Sequence, residues 1–349
     1  MTDFKTVRGF EDVWRPTART RFNLTPASLG SRASGAGEVR ARLERIAGGA
    51  PQVVVSLTGR RRNHGQLLAH LNYISRNGRL ELEDRDGNAL VGRQAMRELA
   101  DDWTLAAASN PRRRIDTSVG LSLVLSMPAG TNPDAVRDAG RAFGRTVFGD
   151  RFDYAFVLHT DVDHPHVHMT VQTSDERGRF LKPWKTDLEL WRQVFAEALR
   201  ERGVEAEATP RAARGITRKT EHPLMRRVRE RHEHGHGEPA RHVRDAYLEA
   251  ARAAFQGETA LTAIETRLLE RQTQIRALYL AQAKLLREAK DPQDQKLGLA
   301  VEDFVRSMPE PDSQRLAFAR ELRAANERVH ARDRQRQGPE VSQGKDRDR

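Results

Sequence analysis

The stretch from residue 157 to residue 173 (VLHTDVDHPHVHMTVQT) contains four histidines and two aspartates within ten consecutive positions. Imidazole nitrogens bind divalent metals and transfer protons near neutral pH. β-forming residues flank the cluster on both sides. Three interpretations are open: a metal site, a proton-transfer site, or a polar turn that happens to be rich in histidine.

Strand geometry separates these histidines from one another. If residues 166–173 form a strand, His166 and His168 lie on the same face, because alternate side chains of a strand share a face. His159 ends the preceding strand, and the turn between the strands can bring it beside them. Three neutral imidazoles that converge from a rigid sheet predict a divalent-metal site.

The connecting turn adds two further residues. A metal-bound histidine usually donates its other ring N–H to a carboxylate or a carbonyl, so Asp161 is expected to accept such a bond. His164 precedes Pro165, and its direction depends on the turn, so it is left as a spare histidine. The alternative is a surface hairpin with scattered histidines, which the His-x-His pattern on a strand disfavours.

The elements that must position these residues follow from periodicity and from turn signals. The chain predicts a strand at 52–59, a helix at 64–76, a strand at 120–131, a helix at 132–149, strands at 151–159 and 166–173, and a helix at 187–203. This order indicates an α+β domain over 51–205, with an antiparallel central sheet covered by helices.

The remaining segments differ in composition from this domain. Residues 1–50 are predicted to be a flexible basic N-terminal arm, and residues 206–240 a basic linker. An imperfect heptad pattern predicts an α-helical C-terminal region over 241–332, more typical of a helical hairpin than of a long dimeric coiled coil. Residues 333–349 are predicted to be a disordered tail.

Charge and composition restrict the class of partner. The formal net charge is +11 and the sequence pI is about 10.4, with the excess carried mainly by arginine, whose planar fork suits phosphate. A polyanion, most simply nucleic acid, is therefore the leading partner, and the alternative is a soluble protein with basic tails. The absence of cysteine excludes disulfides and thiolate metal ligands. No apolar stretch approaches the length of a membrane span, so we expect a soluble cytoplasmic protein without membrane insertion.

The stretch HTDVDHPHVHMTVQT resembles the third motif of conjugative and mobilisation relaxases of the HUH endonuclease superfamily. The similar branch is the plasmid MobP type, which is related to the T-DNA border endonuclease. The resemblance implies that His159, His166 and His168 hold a divalent cation, Mg²⁺ or Mn²⁺. In the family this cation polarises the scissile phosphate of single-stranded DNA.

The resemblance also requires a tyrosine nucleophile. Tyr73 lies in HLNYISR, which resembles the first motif of the family. Tyr154 is separated from His159 by an odd number of positions, which places the two on opposite strand faces, and Tyr247 and Tyr279 fall in the C-terminal helices. A free tyrosine has a pKa near 10, so activation is needed, and the sequence leaves open whether Asp161 or a metal-bound hydroxide assists.

DNA binding would draw on further residues. Ser126 lies in LVLSMPAGT, which resembles the strand and turn where a relaxase serine contacts DNA near the cleavage point; the alternative is a strand-end serine that bonds the backbone. The basic residues expected to neutralise phosphates are Arg60, Arg61, Arg62, Arg76, Arg112, Arg113 and Arg114.

The resemblance implies a site- and strand-specific relaxase that nicks origin-of-transfer DNA, for conjugative transfer or mobilisation of a plasmid. Tyrosine attack would leave a 5′-phosphotyrosyl intermediate. Accessory relaxosome proteins and a secretion coupling protein are the implied partners, and translocation of the protein bound to DNA is an implied fate. The alternatives are a rolling-circle replication initiator, a non-catalytic relaxosome DNA-binding protein, and a zinc hydrolase of small molecules.

Overall fold

Alternating side chains build the sheet at the centre of the protein. In the computed structural model, the strands are β1 (Val54–Arg61), β2 (Leu82–Asp84), β3 (Ala89–Leu90), β4 (Gly120–Ser126), β5 (Tyr154–His159) and β6 (His166–Gln172). Their order is β1-β4-β6-β5-β2-β3, and each neighbouring pair is antiparallel. The predicted α+β class with an antiparallel sheet is therefore confirmed.

The structure describes residues 4–14, 36–217, 241–257 and 260–336, together with the single residues 231, 236 and 238. It divides into two units: Met1–Pro210 with Tyr279–Arg306, and Arg211–Leu278 with Ser307–Arg349. The helices are α1 (Ala36–Ala47), α2 (His64–Ile74), α3 (Gly92–Ala108), α4 (Pro133–Val147), α5 (Lys185–Arg200), α6 (Arg241–Phe255), α7 (Ala263–Arg287), α8 (Pro292–Ser307) and α9 (Gln314–Arg336). No helix of these ranges is long and apolar enough to cross a membrane.

The two faces of the sheet bury different helices. On one face, α4 and α5 cover the odd-numbered residues of β4 and β6, in a core that includes Leu123, Val167, Met169, Phe143 and Trp191. On the other face, α2 and α3 form a second core whose largest members include Leu67, Leu71, Met96, Trp103 and Val157. Because side chains alternate along a strand, the even-numbered residues of β6 face α2.

The hairpin β2–β3 and helix α3 were not predicted. The hairpin strands are three residues and two residues long, too short for an alternation signal. Helix α3 did carry a signal, because Met96, Ala100, Trp103 and Ala107 recur at helical spacing and are buried. Charged residues between these four positions make the apolar stripe difficult to recognise in the sequence.

The described parts of the predicted flexible arm are folded. A 3-10 helix spans Phe10–Val13, and α1 buries Val39, Leu43 and Ile46, which recur at helical spacing. The Nε1 of Trp14 donates a hydrogen bond to Tyr279 Oη at 2.9 Å. The first unit therefore includes N-terminal residues and part of the C-terminal helices, unlike the predicted boundaries; residues 15–35 of the arm lie outside the described ranges.

The predicted linker and C-terminal region are described in part. Residues 206–209 of the linker are buried, and Val53 donates its backbone N–H to the Glu207 carbonyl at 3.0 Å. In the second unit, the Tyr247 ring on α6 stacks on Phe318 of α9 at 5.0 Å between centroids. The helical character of the C-terminal region is confirmed. Most of 218–240, and 337–349 of the predicted tail, lie outside the described residues.

Helix α4 packs so closely on the sheet that Gly144 is expected not to tolerate a larger side chain. A Cβ at Gly144 would lie 2.6 Å from the Tyr154 ring, so Gly144→Ala should lower the free energy of unfolding by about 2 kcal/mol. At Gly65 in α2 the nearest atom is 3.7 Å away, and Gly65→Ala should leave stability unchanged or slightly raised. Urea unfolding compares the two variants, and equal midpoints would contradict this account of the packing.

Candidate metal centre and nucleophile

Antiparallel pairing of β5 with β6 assembles three histidines on one face of the sheet. His159 lies directly opposite His166, and His168 follows two residues along β6 on the same face. One nitrogen from each of the three imidazoles lies within 4.8 Å of the other two. The ring centroids are separated by 4.6 to 5.3 Å. The predicted convergence of these side chains is therefore present.

The hydrogen bonds of two rings leave a ligand nitrogen on each. The Nε2 of His159 lies 2.7 Å from the Ile74 carbonyl, and the Nδ1 of His166 lies 3.0 Å from the His164 carbonyl. A carbonyl only accepts, so these nitrogens carry the protons, which leaves Nδ1 of His159 and Nε2 of His166 as the nitrogens with lone pairs. Nδ1 of His159 accepts a hydrogen bond from Arg76 Nη2 at 3.3 Å, a contact that a bound cation would replace. The chemistry of this donor set fits a divalent cation.

Burial keeps two of the three imidazoles, those of His159 and His168, in the neutral form that binds metal. Burial, followed by the neighbouring His159 and His166, lowers the pKa of His168 to about 3. Burial also lowers the pKa of His159, although the bond to the Ile74 carbonyl opposes the shift. Metal binding at these two rings therefore needs no loss of a ring proton at neutral pH.

Of the four tyrosines, Tyr73 is the one that lies at the triad. Its ring is 61 % exposed and makes an edge contact with the His168 ring at 6.3 Å between centroids. Tyr154 packs in the opposite core, where burial raises its pKa to about 12. Tyr279 is fully buried, and Tyr247 stacks in the second unit. The structure therefore brings Tyr73 to the triad, and its role as the nucleophile stays a prediction.

A strained turn after α2 places Arg76 beside Tyr73. Arg76 and Asn77 have φ angles of 52° and 60°, which non-glycine residues rarely adopt. The Arg76 guanidinium lies 5.4 Å from the centre of the Tyr73 ring, and its Nη2 is 3.3 Å from Nδ1 of His159. Of the seven arginines expected to bind DNA, Arg76 is the one that adjoins the triad.

Asp161 does not take the position expected for it. Backbone carbonyls, rather than this carboxylate, accept the ring N–H groups of His159 and His166, and Asp161 instead pairs with Arg76. Slight desolvation opposes ionisation of Asp161, but the Arg76 charge outweighs it and lowers the carboxyl pKa. A carboxylate with a lowered pKa is a weaker base, so this geometry favours a role in orienting Arg76.

The other DNA-binding candidates lie at both ends of β4. Ser126 pairs with His166 and therefore shares the triad's face. Arg61 pairs with Gly120 at the far end of β4, six residues or about 20 Å from Ser126. Arg60 lies on β1 and Arg62 directly follows that strand, and Arg112, Arg113 and Arg114 lie in the loop that enters β4 at Gly120. These six arginines do not adjoin the triad.

His70 is a residue of the site that sequence reasoning missed. It lies one helical turn before Tyr73 and is buried on the face of α2 that meets the sheet. A histidine among Leu67, Leu71 and Ile74 on a buried stripe was the available signal.

Tyr73 on the covering helix α2 lies beside three histidines on the antiparallel sheet, the arrangement expected from the resemblance to HUH relaxases. Residues 73–204 match the family model of the MobA/VirD2-like relaxase nuclease domain. The part of the chain that carries Tyr73 and the triad is therefore similar to a relaxase nuclease domain.

Three known proteins are similar to parts of this chain. The chain is 31 % identical over 185 residues to the T-DNA border endonuclease VirD2 of Rhizobium radiobacter, over 47 % of this chain and 43 % of the relative. VirD2 of Agrobacterium fabrum is 31 % identical over 168 residues, 44 % of this chain and 38 % of the relative. The chain thus spans less than half of each of these relatives. The MobM relaxase domain bound to oriT DNA covers 49 % of this chain and 95 % of its own length, at 15 % identity and a TM-score of 0.33.

The spare histidine provides a matched test of the metal centre. His166→Ala removes a ring of the triad and should reduce Mn²⁺ affinity at least tenfold, measured by isothermal titration calorimetry. His164→Ala removes an exposed imidazole outside the triad and should leave the affinity unchanged. Equal losses in both variants would contradict the three-ligand site.

Proposed function

We propose that this chain is a site- and strand-specific DNA relaxase that nicks single-stranded origin-of-transfer DNA, for conjugative transfer or mobilisation of a plasmid. The observation that carries the proposal is the exposed Tyr73 ring beside three convergent imidazoles. The relatives described as T-DNA border endonucleases support DNA as the substrate. The basic composition supports a polyanionic ligand.

The chemistry is a transesterification at phosphorus. The Tyr73 oxygen attacks the phosphodiester, a new phosphorus–oxygen bond forms, and the bond to the 3′ oxygen breaks. The products are a 5′-phosphotyrosyl link and a free 3′-hydroxyl, which receives a proton. One phosphoester replaces another, so the released 3′-hydroxyl can attack the link and reseal the strand.

The chain's own groups surround the reacting atoms. The Tyr73 phenol must lose its proton to attack, and the Arg76 guanidinium lies 5.4 Å from the centre of its ring. Ser126 lies on the same face beside His166 and provides a hydroxyl for a phosphate oxygen near the scissile bond. Mg²⁺ or Mn²⁺ held by His159, His166 and His168 would polarise the scissile phosphate and neutralise charge on its oxygens.

The distal arginines would bind DNA away from the scissile phosphate. Arg112, Arg113 and Arg114 lie in the loop that enters β4 at Gly120, the opposite end of that strand from Ser126. Arg112 also lines an open cavity of about 540 Å³ together with Asn110 and Arg177. Contacts there would raise affinity without touching the reacting atoms.

Accessory relaxosome proteins and a secretion coupling protein are the proposed protein partners. The family resemblance supports both, and it supports translocation of the protein while covalently bound to DNA. The protein is proposed to act in the bacterial cytoplasm.

Removal of the Tyr73 hydroxyl tests the nucleophile. Tyr73→Phe should abolish the covalent protein–DNA adduct formed with origin-derived single strands and Mn²⁺, and should lower noncovalent DNA affinity by less than about threefold. Denaturing gels with labelled DNA detect the adduct, and peptide mapping locates it. Tyr247→Phe in the second unit is the matched control and should retain the adduct.

An adduct that survives Tyr73→Phe would overturn the nucleophile assignment. A wild-type protein that binds these strands but forms no adduct with any of them would instead favour a non-catalytic relaxosome component. A replication initiator would nick replication-origin strands in preference to transfer-origin strands in the same assay.

The distal arginines predict a change in salt dependence. Replacing Arg112, Arg113 and Arg114 with glutamine should reduce the slope of log affinity against log salt by about 2 for single-stranded DNA, since about 0.7 counterions are released per phosphate contact. Nicking at saturating DNA should remain. Arg137→Gln on α4, which removes a charge already paired with Asp134 and Asp138, should leave the slope unchanged. Fluorescence anisotropy at several salt concentrations measures both slopes.

A further inference from the structure

A polar layer is buried between α2 and the sheet, behind the candidate metal centre. His70 is 8 % exposed, and Ser122 and Thr170 are fully buried. Thr170 shares the triad's face two residues beyond His168 and pairs across β4 with Ser122. Leucine and isoleucine side chains of α2 flank His70, so this polar layer interrupts an otherwise apolar contact.

Three atoms of this layer lack a hydrogen-bond partner among the described residues. They are Nε2 of His70, Oγ1 of Thr170 and Nδ1 of His168. Burying a polar atom without a hydrogen-bond partner costs about 1–3 kcal/mol of folding free energy. Three such atoms in one layer therefore indicate a hydrogen-bond partner that they share. Ser122 is already engaged, because its Oγ accepts a hydrogen bond from Arg61 Nε at 3.2 Å.

The neutral state of His70 suits it to accept a hydrogen bond. Burial, followed by the nearby Arg61 charge, lowers the pKa of His70 to about 3. His70 also interacts electrostatically with His168, so the two rings are near each other. A neutral imidazole offers one donor and one acceptor nitrogen.

We propose that His70 is a positioning residue for the metal centre. The Nδ1–H of His168 donates to a buried water, which donates to Nε2 of His70 and also bonds Oγ1 of Thr170. A buried water typically makes about three hydrogen bonds, which matches the three available atoms. This arrangement keeps the proton on Nδ1 and leaves Nε2 of His168 as the ligand nitrogen, the role that outer partners of metal-bound histidines perform.

The inference rests on the proposed metal centre, and its test does not depend on nicking. His70→Leu removes the polar atom at a site surrounded by leucine and isoleucine, and should weaken Mn²⁺ binding about tenfold. His70→Gln returns a polar group near the position of Nε2 and should restore affinity to within about threefold of wild type. The isosteric Thr170→Val should weaken binding about threefold, since one of three contacts is lost.

Nuclear magnetic resonance of the metal-free protein gives an independent measurement. Long-range ¹H–¹⁵N spectra should show His168 protonated at Nδ1 in wild type and in His70→Gln, and as a mixture of tautomers in His70→Leu. His64→Gln, at the exposed start of α2 beside Asp101, is the control and should change neither measurement.

Two outcomes would overturn the proposal. One is a folded His70→Leu variant with the Mn²⁺ affinity and the His168 tautomer of wild type. The other is a loss of affinity in His70→Leu that His70→Gln does not restore, because that would assign the effect to side-chain shape. A wild-type protein that binds Mn²⁺ and shows the tautomer but does not nick DNA would refute the proposed function and leave this inference standing.

Discussion

The two-residue period of β6 is the constraint on which the site depends. Val167, Met169 and Val171 are fully buried against α4 and α5, and each such side chain contributes about 1.5–3 kcal/mol of burial free energy. The residues between them must therefore face α2. A slip of one residue would exchange the two sets and place imidazoles in the apolar core. The hydrophobic effect that folds the sheet thus also directs His166 and His168 toward each other.

Helix α2 packs on the same face of the sheet, which buries some of its residues and leaves others exposed. Ile74 is buried, and its carbonyl fixes the proton on His159, whereas Tyr73 immediately before it is exposed. Consecutive helical residues point about 100° apart, so packing of Ile74 directs Tyr73 toward the open edge of the triad. The position of Tyr73 and the ring orientation of His159 both depend on the buried residue Ile74.

The alternation of side chains along a strand and the resemblance to a motif were sufficient to select His166, His168 and Tyr73 from the sequence. The sequence patterns did not predict features that depend on contacts between distant segments. The partner of Asp161 is decided by the left-handed turn at Arg76 and Asn77, which nothing in the local composition requires. The burial of His70 depends on which face of α2 meets the sheet, and the folding of residues 10–14 depends on contacts with a C-terminal residue, Tyr279.

The charges around the triad explain why Arg76 and Asp161 belong together. The pair is neutral, and burial keeps His159 and His168 neutral as well, so these four groups together carry no net charge. A divalent cation and one phosphodiester would add one net positive charge. This positive charge would stabilise the additional negative charge that develops on the phosphate oxygens during transesterification. Arg76 Nη2 lies 3.3 Å from Nδ1 of His159, so without Asp161 the charge of Arg76 would repel a cation bound to that histidine. The Asp161 carboxylate is therefore better placed to balance the charge of Arg76 than to remove a proton.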